Sequence, residues 1–429
     1  MMDRQLNDTA DRNKKRTSAI VVIATLYIAF IGVGLPNSLL GAAWPSMQTY
    51  VDVPASYAGW ITLAISLGMF VSSLLSERCI IGLGAHRTMV LSFAFIAASV
   101  AGFSLSADYK ALLASGAALG VGIGLMEAAA NGYVVKHLSS RHMNWMHCFW
   151  GVGAAIGPLL MASAIGGGAY RTGYRYAAFV EVAVLLLVIA TLSFFKSNEK
   201  ALSSASEGSE KATGNTNASG ETPGQSAAAS KEKGKSLAEL MARPKAPVAV
   251  IAFFLYCSVE MTVMLWGASY MVMAKHIEES AAAGWMSVFF VGMVVGRVAA
   301  GAAAVKMGNK KLIAAGLAIS ALSVAVILAA SSVALLSAGF FALGFGFGPV
   351  FPSLLHATSD NFEEEYAQAM VGAQLASAFL GNAIIPLIFG ALAGTFGYGL
   401  FPFTLIMLLA LLVLASWALF KRPPGRPRP

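Results

Sequence analysis

The chain has 429 residues, of which 57% are apolar and only 12% are charged. Soluble domains carry about twice this charged fraction, so an arrangement of two or three soluble domains is excluded. The net charge of +8 does not indicate a nucleic-acid partner, because basic residues collect in the cytoplasmic loops of membrane proteins. Apolar runs of about 20 residues recur, each long enough to cross a bilayer as a helix. The composition therefore predicts an all-α, polytopic membrane protein.

Twelve apolar spans can be counted along the chain. The first follows a polar, basic segment and is long enough to span, so a retained helix is expected rather than a cleaved signal. Residues 196–245 are rich in Ser, Ala, Gly, Glu and Lys and predict a flexible linker. The expected units are a six-helix bundle (1–195), this linker, and a second six-helix bundle with a short basic tail (246–429). The predicted spans are 18–43, 55–76, 88–106, 111–135, 144–165, 175–195, 246–271, 281–303, 311–330, 333–355, 368–393 and 398–420.

The distribution of positive charge predicts the orientation. If both termini are cytoplasmic, the outward loops hold only Lys110, Arg171, Arg175 and Lys275. The other 25 of the 29 Lys and Arg residues (29 − 4) then lie on the cytoplasmic side or at its edge. Positive residues favour the cytoplasm. We therefore expect a multi-pass protein of the cell (inner) membrane with both termini inside.

The two halves of the chain repeat each other. Residues 118–124 (ALGVGIG) recur as residues 342–348 (ALGFGFG), a shift of 224 residues (342 − 118). At the same shift, residues 84–87 (GAHR) recur as residues 308–311 (GNKK). A parallel repeat of six spans is typical of transporters that rock one half against the other around a midplane site.

These features resemble the major facilitator superfamily over the whole chain apart from its tails and linker. The basic, Gly-containing turns after spans 2 and 8 are similar to the cytoplasmic gating motif of that superfamily. In the first half the motif residues are Glu77, Arg78 and Arg87. The resemblance implies twelve helices in two pseudo-symmetric six-helix bundles, and transport by alternating access.

A narrower resemblance is to the fucose permease-like sugar/proton symporters. It rests on the pattern from Gly124 to Asn131 in span 4, on Arg141-x-x-Asn144 in span 5, and on Phe254-x-Tyr256-x-x-x-Glu260 with Trp266 and Tyr270 in span 7. The resemblance implies proton-coupled sugar transport. Span 1 departs from it, because fucose permease carries an acid where this chain has Asn37.

Glu127 and Asn131 are the central candidates. They lie four residues apart, on the same face of span 4 as Gly120 and Gly124. The glycines allow a neighbouring helix to approach closely, and the polar pair is expected to face a central cavity. A low-dielectric site favours the neutral form of a carboxyl group, so Glu127 is the first candidate for proton coupling. A structural hydrogen bond to another helix is the alternative.

Glu260 is the second acid in the middle of a span, and Tyr256 lies one turn before it. Glu260 either binds a proton or a solute hydroxyl, or it pairs across the helix interface. Aromatic rings often pack on the C–H face of a sugar. The aromatic candidates for substrate binding are therefore Trp150, Tyr256, Trp266 and Tyr270.

Other polar residues inside the spans complete the candidate set. His147 in span 5 titrates in the physiological range or bonds a ligand while neutral, and a packing role is equally open. Arg297, near the inner end of span 8, is expected in the gate or at the membrane interface. Glu181 is placed near the outer end of span 6. The amide candidates for substrate binding are Asn37, Asn131, Asn144, Gln374 and Asn382.

No pattern for an enzyme, a metal site or a cofactor is present. The cysteines and histidines show no disulfide or metal-ligand spacing. No GxxxxGK[ST] loop occurs, so ATP is not expected to drive the protein. The glycines at 120, 122 and 124 lie in an apolar run with no preceding strand, which favours helix packing over dinucleotide binding.

The preferred hypothesis is a secondary active transporter that moves a small polar solute, with a sugar expected first, together with protons. A uniporter, or an exporter of another small molecule such as a drug or metabolite, is the alternative. A non-transporting receptor is a distant third, because the linker and tails are too short to form a soluble module. The expected partners are the solute, protons and the lipid bilayer, without nucleic acid, and a monomer is expected.

Overall fold

The computed structural model describes residues 2–138, 140–167, 169–195 and 237–421. The side chains of residues 2–16, 140, 144, 237, 305, 364 and 368 lie outside this description, as do most of the predicted linker and the tail after Lys421. Within the described ranges the chain is helical, with short turns and no strand. This confirms the predicted all-α class.

Among the described residues, twelve helices are long and apolar enough to cross a membrane, as predicted. Because successive spans run in opposite directions, the start of the first and the end of the last lie at one end of the bundle, here called the terminal end. The other end is called the distal end. Spans 1 to 12 are Thr17–Tyr50, Tyr57–Leu83, Ala85–Leu105, Tyr109–His137, Arg141–Gly166, Tyr170–Ala190, Ala246–Met273, Glu279–Ala304, Lys306–Ala329, Val333–Asn361, Glu365–Phe396 and Tyr398–Phe420.

Glycine and proline shape the junctions of the second half. Spans 8 and 9 follow each other through Gly308, whose φ of 68° lies in the left-handed region that favours glycine. Span 10 is broken into Val333–Phe347 and Val350–Asn361. Pro349 lies at this break and cannot donate the backbone hydrogen bond of a continuous helix.

Span 6 begins at Tyr170, five residues before its predicted start (175 − 170). Arg171 belongs to the helix and not to a loop, and its guanidinium donates to the carbonyl oxygens of Ser104 (2.8 Å) and Leu105 (2.8 Å) at the end of span 3. The earlier start moves Glu181 to the middle of the helix, where its side chain is 0% exposed. The expected placement of Glu181 near the end of span 6 is therefore wrong.

The last part of the predicted linker, residues 237–245, has local structure. Leu237–Met241 form a five-residue helix, and Leu240 is buried. The guanidinium carbon of Arg243 lies 3.8 Å from the centre of the Tyr366 ring. This contact links the segment to the terminal end of span 11, whereas residues 196–236 lie outside the described ranges.

The internal repeat is visible in the helix contacts. A side chain added at Gly120 of span 4 would overlap the carbonyl oxygen of Ile65 in span 2. In the second half, a side chain at Gly344 of span 10 would overlap the carbonyl oxygen of Phe289 in span 8. Both members of the pair are shifted by 224 residues (344 − 120 and 289 − 65). The glycine runs therefore form equivalent close helix contacts in the two halves.

Helix starts and turns follow the same repeat. Asp108 accepts a backbone hydrogen bond from the first turn of span 4 (2.9 Å), and Ser332 accepts the equivalent bond at the start of span 10 (3.2 Å). Gly84 between spans 2 and 3 has a φ of 84°, which matches the positive φ of Gly308. The two halves thus have the same type of helix cap and turn at equivalent positions.

The two halves, spans 1–6 and spans 7–12, contact each other chiefly through spans 1, 2 and 5 on one side and spans 7, 8 and 11 on the other. Close approaches lie toward the distal end. A side chain at Gly41 in span 1 would overlap the carbonyl oxygen of Met264 in span 7. One at Gly59 in span 2 would reach within 2.7 Å of Leu387 in span 11. The halves are therefore in tight contact at the distal end.

Candidate functional site

Glu127 lies in the terminal half of span 4, ten residues from its last residue (137 − 127). At about 1.5 Å per residue this is ~15 Å from the end of the helix. Its side chain is partly exposed, and it makes no hydrogen bond or ion pair with the residues that the structure describes. An acid at this depth is costly unless it meets water, a ligand or a proton. Glu127 therefore has the placement of a binding or proton-carrying group.

Asn131 follows Glu127 by one turn on the same helix face. Its Oδ1 atom is buried and has no hydrogen-bond donor among the described residues. Further toward the distal end, a side chain at Gly124 would come within 2.6 Å of the carbonyl oxygen of Met69 in span 2. The glycines thus hold span 4 against span 2, and the polar pair begins where this tight contact ends.

Glu260 lies in the middle of span 7, and its Oε1 atom is 3.2 Å from the hydroxyl of Tyr256. The same hydroxyl lies 3.3 Å from the carbonyl oxygen of Phe347, at the break of span 10. The Tyr256 ring is buried against Phe347 and Phe351, with ring centres 5.0 and 5.6 Å away. Tyr256 therefore positions the carboxyl group, and its ring face is covered by span 10.

Glu260 is the counterpart of Asn37 in the internal repeat. Two equivalent glycine contacts show how span 1 corresponds to span 7. In the first half, a side chain at Gly153 of span 5 would overlap the carbonyl oxygen of Ile31 in span 1. In the second half, a side chain at Gly381 of span 11 would overlap the carbonyl oxygen of Phe254 in span 7. Counting six residues onward from Ile31 gives Asn37, and six onward from Phe254 gives Glu260. The second half thus carries an acid where the first half carries an amide.

Arg297 reaches from span 8 across to span 5 of the other half. Its Nη1 atom donates to the carbonyl oxygen of His147 (3.2 Å), and its guanidinium carbon lies 5.7 Å from the centre of a Trp150 ring. The guanidinium also acts electrostatically on Glu260. Arg297 therefore connects the predicted span 5 residues to the acid of span 7, a role that the sequence pattern did not indicate.

His147 packs edge-on against Phe30 of span 1, with ring centres 5.5 Å apart. Trp150 is partly exposed, and its carbonyl oxygen faces Gly34 of span 1 so closely that any side chain there would overlap it. The side chain of Asn144 lies outside the described residues. Span 5 thus presents His147 and Trp150 between span 1 and Arg297.

A cavity of about 30 Å³ lies between the halves on the distal side of these groups. Asn37 and Asn382 both line it, together with Thr62 and Ser66 of span 2. Its volume is roughly that of one water molecule. The two hydroxyl residues were not among the sequence candidates, since Ser and Thr inside spans commonly bond their own helix, as Thr62 does to Ala58 (3.1 Å).

Three predicted binding residues lie apart from this site in the structure. Trp266 is 0% exposed, and its indole N–H donates to the carbonyl oxygen of Pro386 (2.9 Å). Tyr270 stacks on Phe401 near the distal end (4.9 Å). Gln374 is buried and accepts a hydrogen bond from Thr358 (2.9 Å), which joins spans 10 and 11. In this conformation all three hold the second half together.

Glu77, Arg78 and Arg87 lie at the terminal end of spans 2 and 3 and are all exposed. None makes an ion pair with the described part of the chain. In the second half, the turn at Gly308 lines a cleft of about 390 Å³ with Lys245, Lys310 and Lys311. This cleft lies at the terminal surface of one half, so it is not the site between the halves.

The chain belongs to the major facilitator superfamily. The family model described as Major Facilitator Superfamily matches residues 26–284 and 248–429. The protein is therefore a membrane transporter and not an enzyme.

Two curated proteins are similar to the chain. "Bypass of stop codon protein 6" of Saccharomyces cerevisiae is 23% identical over 420 residues, covering 94% of this chain and 82% of that protein. "Multidrug resistance protein 2" of Bacillus subtilis is 22% identical over 188 residues, covering 42% of this chain and 44% of that protein.

Solved structures share the fold at low identity. A point mutant of the nucleoside transporter NupG superposes with a TM-score of 0.72 at 11% identity, covering 93% of this chain and all of that one. A D-xylose-proton symporter superposes with a TM-score of 0.69 at 13% identity, covering 94% of this chain and 97% of that one. These likenesses confirm the twelve-helix fold in two bundles.

Proposed function

We propose that the protein is a secondary active transporter that moves a small polar solute, a sugar in the first instance, together with protons. The observation that carries this proposal is Glu127, an acid deep in span 4 that has no partner among the described residues. It lies one turn from Asn131, whose amide oxygen has no donor among them either. The names of two solved relatives, a nucleoside transporter and a D-xylose-proton symporter, support the solute class.

Transport occurs by rocking residues 1–195 against residues 246–429. The terminal end is the cytoplasmic one, because 25 of the 29 Lys and Arg residues lie on that side. Two of the four basic residues at the distal end have a separate role as helix caps. Arg171 bonds the end of span 3, and Lys275 bonds the carbonyl oxygen of Ala330 after span 9 (2.9 Å). With the distal contacts closed, the site opens toward the cytoplasm.

Glu127 couples the proton to the solute through its charge. When the carboxyl group is protonated, closing the protein around it buries a neutral group, which costs much less than burying an ion. The solute binds the protonated form through hydrogen bonds from the neutral carboxyl group and Asn131. Glu260, held by Tyr256 and near Arg297, is the second proton-coupling candidate and replaces the acid that span 1 lacks.

The solute lies between span 4 of one half and spans 7 and 8 of the other. Asn131, His147 and Trp150 contact it from the first half. Asn144 stays a candidate from the sequence, since its side chain lies outside the described residues. Asn37 and Asn382 close the distal side of the site, where the small cavity lies. The Trp150 ring, held by Arg297, is the aromatic surface for the C–H face of a sugar.

The proposal is tested by Glu127→Gln, which keeps the shape of the side chain and removes its ability to ionise. We expect uptake driven by a pH gradient into proteoliposomes to be abolished, while solute exchange at equal pH persists in part. Glu363→Gln, a change at an exposed loop acid, is the matched control and should transport like the wild type. Undiminished gradient-driven uptake by the Glu127→Gln protein would refute the coupling role.

A uniporter or exporter is the second candidate function, favoured by the amide at Asn37 and by the name of the Bacillus relative. Wild-type proteoliposomes with and without a pH gradient distinguish these functions. A uniporter equilibrates the solute but never concentrates it. The solute is found with a panel of sugars, nucleosides and drugs, scored by the thermal stability of the purified protein, because a ligand that binds the folded state raises its stability.

A further inference from the structure

Glu181 is a fully buried acid inside the first half. It lies in the middle of span 6, and neither carboxyl oxygen has a hydrogen-bond donor among the described residues. Its Oε2 atom is 3.2 Å from the position that a Cβ would take at Gly32 of span 1. The Phe93 ring of span 3 is 3.0 Å from the same position. The carboxyl group therefore lies in the contact between spans 1, 3 and 6.

In the second half, the positions that correspond to Glu181 and its neighbours carry apolar side chains. Span 12 is the counterpart of span 6, and it carries buried leucines along the corresponding face, among them Leu405 and Leu409. The neighbours of Glu181 on spans 1 and 3 also correspond to buried leucines, Leu255 and Leu317. The contact between these three spans is thus filled by apolar side chains in the second half. In the other half, Gly32 leaves room for an acid.

No charged side chain of the described chain lies close enough to act on Glu181. The spans packed against span 6 are spans 1, 3 and 5. The described titratable or charged side chains on these four spans are Tyr27, Tyr50, His86, Arg87, Arg141, His142, His147, Cys148, Tyr170, Arg171, Tyr174, Arg175 and Tyr176. An ionised carboxylate without a donor or a cation is far more costly here than a neutral carboxyl group. Glu181 therefore holds a proton in this conformation.

Span 1 connects Glu181 to the contact between the halves. Its Gly32 touches the carboxyl group, and its Gly41 packs against Met264 of span 7 at the closed distal end. Opening the distal end removes this partner of span 1, so that this one helix is free to move against span 6 in addition to the rocking of the halves. Such a movement would uncover the carboxyl group of Glu181.

We propose that Glu181 is a second proton-carrying residue, which is neutral when the distal end is closed and ionised when it is open. The proposal rests on the proposed function, since it adds a protonation step to alternating access. On opening, the O–H bond of the carboxyl group breaks, the proton passes to water, and the carboxylate remains in span 6. On closing, a proton from water restores the neutral acid.

The test measures the distal opening directly and needs no solute. Spin labels at Thr49→Cys and Met273→Cys, both exposed near the distal ends of spans 1 and 7, report the distance between the halves in nanodiscs. In the labelled protein the three native cysteines are replaced, so that the labels attach only at the two introduced cysteines. It also carries Glu127→Gln and Glu260→Gln, so that these two acids do not titrate. Raising the pH is expected to shift the population toward long distances, and adding Glu181→Gln is expected to abolish that shift.

Glu181→Leu, which copies the leucines of span 12, is the second variant and should also lose the pH response. The same pH-dependent shift with and without Glu181, or no shift in the Glu127→Gln/Glu260→Gln protein, would overturn the proposal. Failure of gradient-driven uptake, by contrast, would count against the proposed function and not against this residue.

Discussion

A hydrogen atom in place of a side chain sets the distance between spans 4 and 2. The Cα of Gly120 faces the backbone of span 2 so closely that even a methyl group would overlap the Ile65 carbonyl oxygen. The same residue type performs the same task in span 10, at Gly344 against Phe289. Small residues at such crossings let two helices pack backbone to backbone. Glu127 then follows on the same helix, so the scaffold contact positions the candidate site.

Gly120→Ala is expected to destabilise the protein by about 1–3 kcal/mol, the usual cost of overpacking a tight interior. The measurement is the thermal stability of the purified protein in detergent. Gly132→Ala is the matched control in the same helix, because a Cβ there meets no atom of the described residues within 4 Å. Alanine also favours a helix over glycine, so the control should be neutral or slightly stabilising. Equal losses in both variants would contradict the proposed contact.

At the scale of single elements, span 8 begins with a side-chain cap at the distal surface. The carboxylate of Glu278 accepts the backbone N–H groups of Ser280 (3.0 Å) and Ala281 (3.0 Å), and it also accepts a hydrogen bond from the Ser280 hydroxyl. These bonds, led by that of the Ser280 side chain, lower the pKa of Glu278 below its ordinary value. A negative charge here also suits the positive end of the helix dipole.

The cap predicts a pH dependence at the start of span 8. Because the pKa is lower in the folded state, the stabilisation is present above about pH 4.3, the ordinary value for Glu, and is lost as the pH falls through the lower folded value. Glu278→Ala should cost about 1 kcal/mol at neutral pH, as for other N-cap losses, and the difference from wild type should shrink on acidification. Thermal melts at several pH values measure this. A difference that grows with acidification would refute the cap.

For the whole molecule, closure between the halves depends on backbone contacts at the distal end. Gly41 meets Met264 between spans 1 and 7, and Gly59 meets Leu387 between spans 2 and 11. These contacts join residues from the two halves, so under the proposed rocking mechanism they form and break together. The conformation of the site therefore depends on whether two glycines reach their partners.

Gly41→Val is expected to hold the distal end open, because its side chain would overlap the Met264 carbonyl oxygen only in the closed conformation. Spin labels at Thr49 and Met273 should report a larger share of long distances than in the wild type. Gly394→Val, near the distal end of span 11, is the matched control, since a Cβ there meets no atom within 4 Å in the described part of the chain. A closed distal end in the Gly41→Val protein would show that this contact does not set the conformation.

The sequence by itself determined the class, the number of spans and the internal repeat. The class and the span count depend on hydrophobic length and residue spacing, which are properties of one chain segment at a time. The repeat is found by comparing segments of the same chain. Glu127 and Asn131 were also chosen as candidates from the sequence alone, because a polar pair inside an apolar helix is visible without any neighbour. Helical periodicity alone predicts that Gly120 and Glu127 lie on the same face of span 4.

The tertiary structure alone decided which neighbour covers each face. Trp266 was expected to bind a solute and is covered by spans 11 and 12, whereas Arg297 was expected in the gate and reaches His147 across the halves. Glu181 moved from a helix end to the middle of the first half. Periodicity tells which residues share a face, but not which of eleven other helices packs on it. That choice depends on the combined packing of all spans, and it places Glu181 in the contact between spans 1, 3 and 6 instead of at the membrane interface.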